Sequence, residues 1–185
     1  SDLLFNTLLA FVMLFAAALV VMNPKAKSGV IDAKAEFIIT VTWPDLDPND
    51  IDTWVQDPGG NLVWIRAREA GLMHLDRDDR GVANDTIIVN GQTVVNPLNQ
   101  EVVAIRGFAP GEYTVNLHYY ESKNGQPVDV NVSVVKVNPR AEVVFYGAVK
   151  VARKGDEATA ARFTVDRAGR VGNVNTLAKK LVERI

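Results

Sequence analysis

The sequence contains no cysteine, and this absence excludes several classes of protein at once. Without thiols there is no disulfide scaffold, no thiolate metal site and no cysteine nucleophile. Strong charge is also lacking: the formal net charge is −2 over 185 residues, which predicts no binding of nucleic acid. The sequence has no nucleophile elbow, Walker loop or dinucleotide fingerprint. We therefore predict that the protein is not an enzyme, and we assign no catalytic residue.

Apolar residues are concentrated at the start of the chain, in SDLLFNTLLAFVMLFAAALVVMNP. From Leu3 to Met22 the polar residues are Asn6 and Thr7 alone. At about 1.5 Å per residue this run spans about 30 Å, the thickness of a hydrocarbon core. The residue before Pro24 is pushed out of helical geometry. The pattern predicts a transmembrane helix over residues 1–24, followed by a linker over 25–35.

Two lysines, Lys25 and Lys27, flank the expected outer end of this helix. Positive charge favours the cytoplasmic side of a membrane, so these lysines argue against an outward C-terminal domain. The orientation of the helix therefore stays open at this point.

Beyond the linker the apolar period changes to two. Segments such as EFIITVTW, TIIV and VDVNVSVVKV are rich in β-branched residues, and turn signals separate them. The best hairpin candidates are Asn90-Gly91 and Asn124-Gly125. About eight such segments predict an antiparallel β-sandwich over residues 36–170. Its alternating Val128, Val130, Val132 and Val134 are expected on the buried face of one strand.

The end of the chain shows a helical period again. Val174, Leu177, Leu181 and Ile185 fall on one stripe of an α-helix, with charged residues between them. We therefore predict a short amphipathic helix over residues 171–185. The fold class is mainly β, with one helix at each end.

Two acidic segments stand out, DLDPNDID from Asp45 to Asp52 and LDRDDRG from Leu75 to Gly81. The first has oxygens at alternate positions but lacks the glycine and the glutamate of an EF-hand loop. On a sandwich the two segments either meet around Ca²⁺ or form separate solvated turns. The arginines of the second segment favour solvated turns, so we assign no metal site.

Asp2 lies at the mouth of the apolar run. An ionisable side chain inside a bilayer is costly and is a functional candidate by default. At a helix end the same residue is explained equally well as an interfacial N-cap that the helix dipole favours.

The stretch DLLFNTLLAFVMLF resembles the membrane helix of the MotB/ExbD-like subunits of ion-driven motors. In that family an aspartate opens a single membrane helix, and Asp2, Leu8, Leu9 and Phe11 match this layout. The resemblance covers about an eighth of the chain. It implies a bacterial inner-membrane protein of one span, with its C-terminal domain in the periplasm.

The same resemblance implies a function. A homodimer of such helices sits inside a pentameric ring of a polytopic MotA/ExbB-like partner and converts ion flow into mechanical work. Asp2 is then the proton carrier, with Na⁺ as the alternative coupling ion, and no other cofactor is expected. Asn6 and Thr7 line the ion path or form hydrogen bonds across the helix pair. The β-domain delivers the work to an unidentified periplasmic target.

The remainder is similar to a bacterial Ig-like sandwich of uncharacterised function, in DIDTWVQDPGGNLVW, LDRDDRG and APGEYTVNLHYY. This similarity covers about residues 36–138 and implies fold rather than activity. The alternatives to a motor subunit are a passively membrane-anchored periplasmic binding domain and a pilin-like subunit.

Overall fold

The computed structural model describes residues 2–22, 35–83 and 85–182. The chain divides into two compact units, Ser1–Ala33 and Lys34–Ile185. The predicted linker over 25–35, with Lys25 and Lys27, lies almost entirely outside the described residues, as does Ile185.

The described part of the first unit is one helix, α1, over Asp2–Met22. In the described part of the chain, no helix is both long enough and apolar enough to cross a membrane. The predicted transmembrane helix over 1–24 is therefore wrong. Asp2, Asn6 and Thr7 occupy the first two turns, and the uninterrupted apolar run begins only at Leu8. At about 1.5 Å per residue that run measures about 22 Å, which is short of a hydrocarbon core of about 30 Å.

This finding also overturns the predicted location. A single-pass protein of the bacterial inner membrane needs a helix that spans the membrane, and the described structure provides none. The roles of stator, proton channel and ion-driven motor depended on that span, and nothing in the described structure supports them.

The second unit is mainly β, as the period-two pattern predicted. Its strands, in chain order, are β1 Phe37–Trp43, β2 Asp50–Gln56, β3 Leu62–Val63, β4 Glu69–Ala70, β5 Met73–Arg77, β6 Thr86–Val89, β7 Gln92–Val95, β8 Asn99–Ile105, β9 Gly111–Glu121, β10 Val128–Lys136, β11 Glu142–Val151, β12 Glu157–Val165 and β13 Val171–Asn175.

The strands form two large antiparallel sheets that share one core. The first sheet has the order β11-β10-β1-β8-β5-β4, and the second has the order β13-β12-β9-β2-β3. Alternate residues of strands such as β1 and β10 point into the core between the sheets, as Val128, Val130, Val132 and Val134 do in β10. Phe37 of the first sheet packs on Phe163 of the second, with ring centroids 5.6 Å apart.

The two hairpin candidates have different outcomes. Asn90 and Gly91, with φ of 51° and 76°, join β6 to β7 in a sheet of their own. Positive φ at both central residues is typical of the type I′ turn that matches the twist of a hairpin. The hairpin predicted at Asn124-Gly125 is wrong, because β9 and β10 on either side of it belong to different sheets.

The predicted amphipathic helix over 171–185 is also wrong. Val171–Asn175 forms β13, which pairs with β12, and the residues after it run without α-helix as far as Val182. Leu181 is fully buried, whereas Leu177 is 67% exposed. The chain lies as an extended strap on the second sheet, so the helical spacing of its apolar residues has no structural counterpart.

Candidate metal centre

Three carboxylates from distant parts of the sequence meet at one edge of the β-domain. Asp52 belongs to β2, Asp78 follows the end of β5, and Glu101 belongs to β8. One oxygen from each lies within 4.8 Å of the other two. Because β2 belongs to the second sheet and β5 and β8 to the first, the cluster bridges the two sheets. We refer to these three residues as the acidic cluster.

The two acidic segments of the sequence are held together by a close backbone approach. Gly81 ends the second segment and has φ of 65°. A Cβ at this position would lie 2.7 Å from the carbonyl oxygen of Pro48, in the first segment. Glycine is therefore required here both for its conformation and for the space it leaves. The two segments therefore lie against each other at this point of the fold.

The edge of β2 is open where the cluster forms. β3 pairs only with Val55 and Gln56, so the earlier residues of β2 have no strand on that side. The backbone N–H of Thr53 instead donates a hydrogen bond of 2.5 Å to Oε2 of Glu101. A side chain from the facing sheet thereby takes the place of a neighbouring strand, which explains why Glu101 points inward.

Several oxygens of the cluster are buried without a hydrogen-bond partner. These are Oε1 of Glu101, Oδ2 of Asp52 and Oδ1 of Asp78, and the neighbouring Oδ1 of Asp50 shares this property. Glu101 is only 1% exposed. Buried polar atoms in proteins nearly always have a partner, and a buried carboxylate without one is costly. A hydrogen-bond donor or a cation between these oxygens would supply the missing partner.

Burial has a marked effect on the acids. It raises the pKa of Glu101 well above its usual value, and the charges of Asp52 and Asp78 raise it further. Burial also raises the pKa of Asp78. The pKa of Asp50 rises to about 7, first through burial and then through repulsion from Asp52, Asp78 and Glu121. The group thus holds more negative charge than this environment favours.

Arg68 and Arg80 oppose the rise in the pKa of Asp78, but they act from beyond the distance of an ion pair. Within the described ranges, no lysine or arginine nitrogen lies within 4.0 Å of the carboxylates of Asp50, Asp52, Asp78 or Glu101. Arg77 pairs instead with the buried Asp79, at 2.8 Å. Nδ1 of His118 lies 3.7 Å from Oδ2 of Asp52.

The chemistry of these ligands suits a hard cation. Ca²⁺ and Mg²⁺ prefer carboxylate oxygens as ligands. The acidic cluster offers three carboxylates and no thiol or imidazole. Two positive charges on a cation would neutralise most of the charge of three carboxylates and would supply the partner that their free oxygens lack.

Asp2, predicted as the proton carrier, and Asn6 and Thr7, predicted to line the ion path or to pair the helices, belong to the first unit. Asp2, Asn6 and Thr7 lie exposed in the first two turns of α1. The Thr7 hydroxyl donates a hydrogen bond of 2.8 Å to the Leu3 carbonyl of its own helix. This contact occupies Thr7 locally and gives no support to an ion path.

Sequence reasoning missed Glu101, although a signal for it was present. Glu101 is in phase with Val103 and Ile105, whose side chains lie in the core. A charged residue at a core position of an alternating strand indicates a buried acid.

Comparisons with protein-family models, with characterised proteins and with solved structures found no match for this chain. The fold and the site define it as a two-sheet antiparallel β-domain with an acidic cluster between its sheets.

Proposed function

We propose that the β-domain is a Ca²⁺-binding module in which the cation joins the two sheets at the acidic cluster. The observation that carries this proposal is Glu101, a buried carboxylate whose Oε1 has no partner and which has an oxygen within 4.8 Å of oxygens of Asp52 and Asp78. The cation replaces repulsion between three acids with attraction. It therefore stabilises the contact between β2 and the first sheet.

Calcium fits this position better than magnesium does. Ca²⁺ accepts six to eight oxygens in irregular geometry, whereas Mg²⁺ demands a near-ideal octahedron and keeps several waters. The three side chains come from separate elements and leave the remaining coordination positions to water.

The test is isothermal titration calorimetry of the full chain with CaCl₂ after treatment with a chelator. We expect one site per chain, weakened by at least ~10-fold in Glu101→Gln and in Asp78→Asn, because each removes a charged ligand. The matched control is Asp129→Asn, an exposed acid of β10 whose carboxylate lies 3.7 Å from Lys150. This control should bind Ca²⁺ as the wild type does.

Two results would contradict the proposal. One is a chain that takes up no Ca²⁺ while its fold is intact. The other is binding that Asp129→Asn weakens as much as Glu101→Gln does, which would indicate diffuse attraction to an acidic surface. The first result would favour a different use of the cluster, in which the carboxyls of Asp78 and Glu101 share a proton.

A further inference from the structure

The hairpin of β6 and β7 stands apart from both large sheets. The two strands pair with each other over four residue pairs, from Thr86↔Val95 to Val89↔Gln92, and form a separate sheet. The ladder extends to the base of the hairpin, where Asn96 N–H donates to the Asp85 carbonyl at 2.8 Å. We call residues 86–95 the arm.

Both faces of the arm are exposed and apolar. Every residue of β6 and β7 is exposed, and Ile88 reaches 76%. Other large apolar side chains on the arm are about half exposed: Ile87, Val89, Val94 and Val95. An isolated two-stranded hairpin is at best marginally stable in water, and it gains stability when further strands or a packing surface are added. The arm therefore has the properties of an unfinished sheet.

The composition of the arm indicates that its partner is a strand. Seven of its eight strand residues are β-branched, with Gln92 as the exception. Such side chains fit a pleated surface and pack well across neighbouring strands. Short segments of high β-propensity without charge or proline are those that pair with other strands.

The absence of charge points to a partner identical to the arm itself. The sequence from Thr86 to Gln100 contains no Asp, Glu, Lys or Arg. Edge strands that avoid self-pairing carry charges, as the edge strand β11 does with Glu142 and Lys150. An uncharged strand can pair with its own copy without repulsion. Antiparallel pairing of two identical strands also obeys two-fold symmetry, the commonest symmetry of dimers.

We propose that the arm pairs edge to edge with the arm of a second copy of this chain. Two hairpins then form one four-stranded antiparallel sheet, in which β-branched side chains of one copy face those of the other. This proposal does not depend on the acidic cluster, because the arm contributes no ligand to it.

The experiment is sedimentation equilibrium of the full chain, from about 1 to about 100 µM, for the wild type and two variants. Ile88→Asp places a charge in the centre of the arm. Tyr146→Asp is the matched control, because Tyr146 is 72% exposed on β11. We expect a wild-type dimer whose dissociation constant rises at least ~10-fold in Ile88→Asp and less than about twofold in Tyr146→Asp.

Three results would overturn the proposal. The wild type would remain a monomer, or Ile88→Asp would associate as the wild type does, or Tyr146→Asp would weaken association equally. The second result would place the contact elsewhere, and the third would indicate docking on β11. Ile88→Asp should keep the wild-type Ca²⁺ affinity, because Ile88 contributes no ligand to the acidic cluster. Failure of this proposal is thereby separable from failure of the Ca²⁺ site.

Discussion

At the scale of single residues, Asp50 and Glu101 show how burial shapes the chemistry of the acidic cluster. Oε2 of Glu101 accepts a hydrogen bond from the backbone N–H of Thr53, and Oε1 has no hydrogen-bond donor. Asp50 lies two residues before Asp52 on β2, and the charges of Asp78 and Glu121 also face it. Arg80 supplies the opposing charge, but burial and repulsion outweigh it.

The raised pKa of Asp50 predicts how stability depends on pH when no divalent cation is present. The pKa is 3.8 for an ordinary aspartate and about 7 in the folded protein. Between these values the folded state binds more protons than the unfolded state, so the free energy of unfolding falls as pH rises. The favourable contribution is complete below about pH 4 and is lost through about pH 7.

We therefore expect Asp50→Asn to lose less stability than the wild type between pH 5 and pH 8. Urea unfolding in a chelating buffer at several pH values measures this difference. Asp129→Asn, whose acid is exposed, serves as the control and should parallel the wild type. If Asp50→Asn also paralleled the wild type, Asp50 would titrate at an ordinary pKa and the described environment of the cluster would be incorrect.

At the scale of elements, the strap after β13 is held to the second sheet mainly by hydrogen bonds, because it has few apolar residues. The carbonyl of Lys179 accepts a hydrogen bond of 2.7 Å from the Asn116 amide on β9. The N–H of Leu181 donates one of 2.6 Å to the carboxylate of Glu157 on β12. These side chains anchor the strap to the outer face of the second sheet, where Leu181 is buried.

Truncation of Leu181 should therefore destabilise the domain, and truncation of Leu177 should not. We expect Leu181→Ala to lower the free energy of unfolding by about 2 to 4 kcal/mol, because it removes a fully buried side chain. Leu177 is exposed, so Leu177→Ala should change the free energy of unfolding by less than about 0.5 kcal/mol. Chemical denaturation of both variants checks this pair. Equal effects would contradict an extended strap and would favour a helix that buries both leucines.

The elements that sequence predicted correctly are those fixed by local chemistry. Asn90-Gly91 formed its hairpin because both residues adopt positive φ, which is a property of the turn itself. Asn124-Gly125 has the same residues, but the choice of sheet for β9 and β10 is a long-range matter of packing. The helix predicted over 171–185 is wrong for the same reason. The spacing of Val174, Leu177 and Leu181 fits a helix, but hydrogen bonds to β9 and β12 hold this segment as a strap.

At the scale of the whole chain, the acidic cluster depends on the assembly of the two sheets. Asp52 and Asp78 were visible as two acidic segments, and the alternative that they meet around Ca²⁺ was open. Its phase with Val103 and Ile105 marks Glu101 as a buried acid, but the sequence does not show that it lies beside Asp52 and Asp78. Its place beside Thr53 follows from the short β3, which leaves β2 open to the facing sheet. No local pattern in the sequence reports the length of a neighbouring strand.

The most direct test of the proposed Ca²⁺ site is a crystal structure of the full chain soaked with Tb³⁺, a lanthanide that replaces Ca²⁺ and scatters anomalously. Our account predicts one strong anomalous peak between the sheets, at about 2.3–2.6 Å from oxygens of Asp52, Asp78 and Glu101. Excess Ca²⁺ in the soak should remove that peak. A map without a peak at the cluster would contradict it.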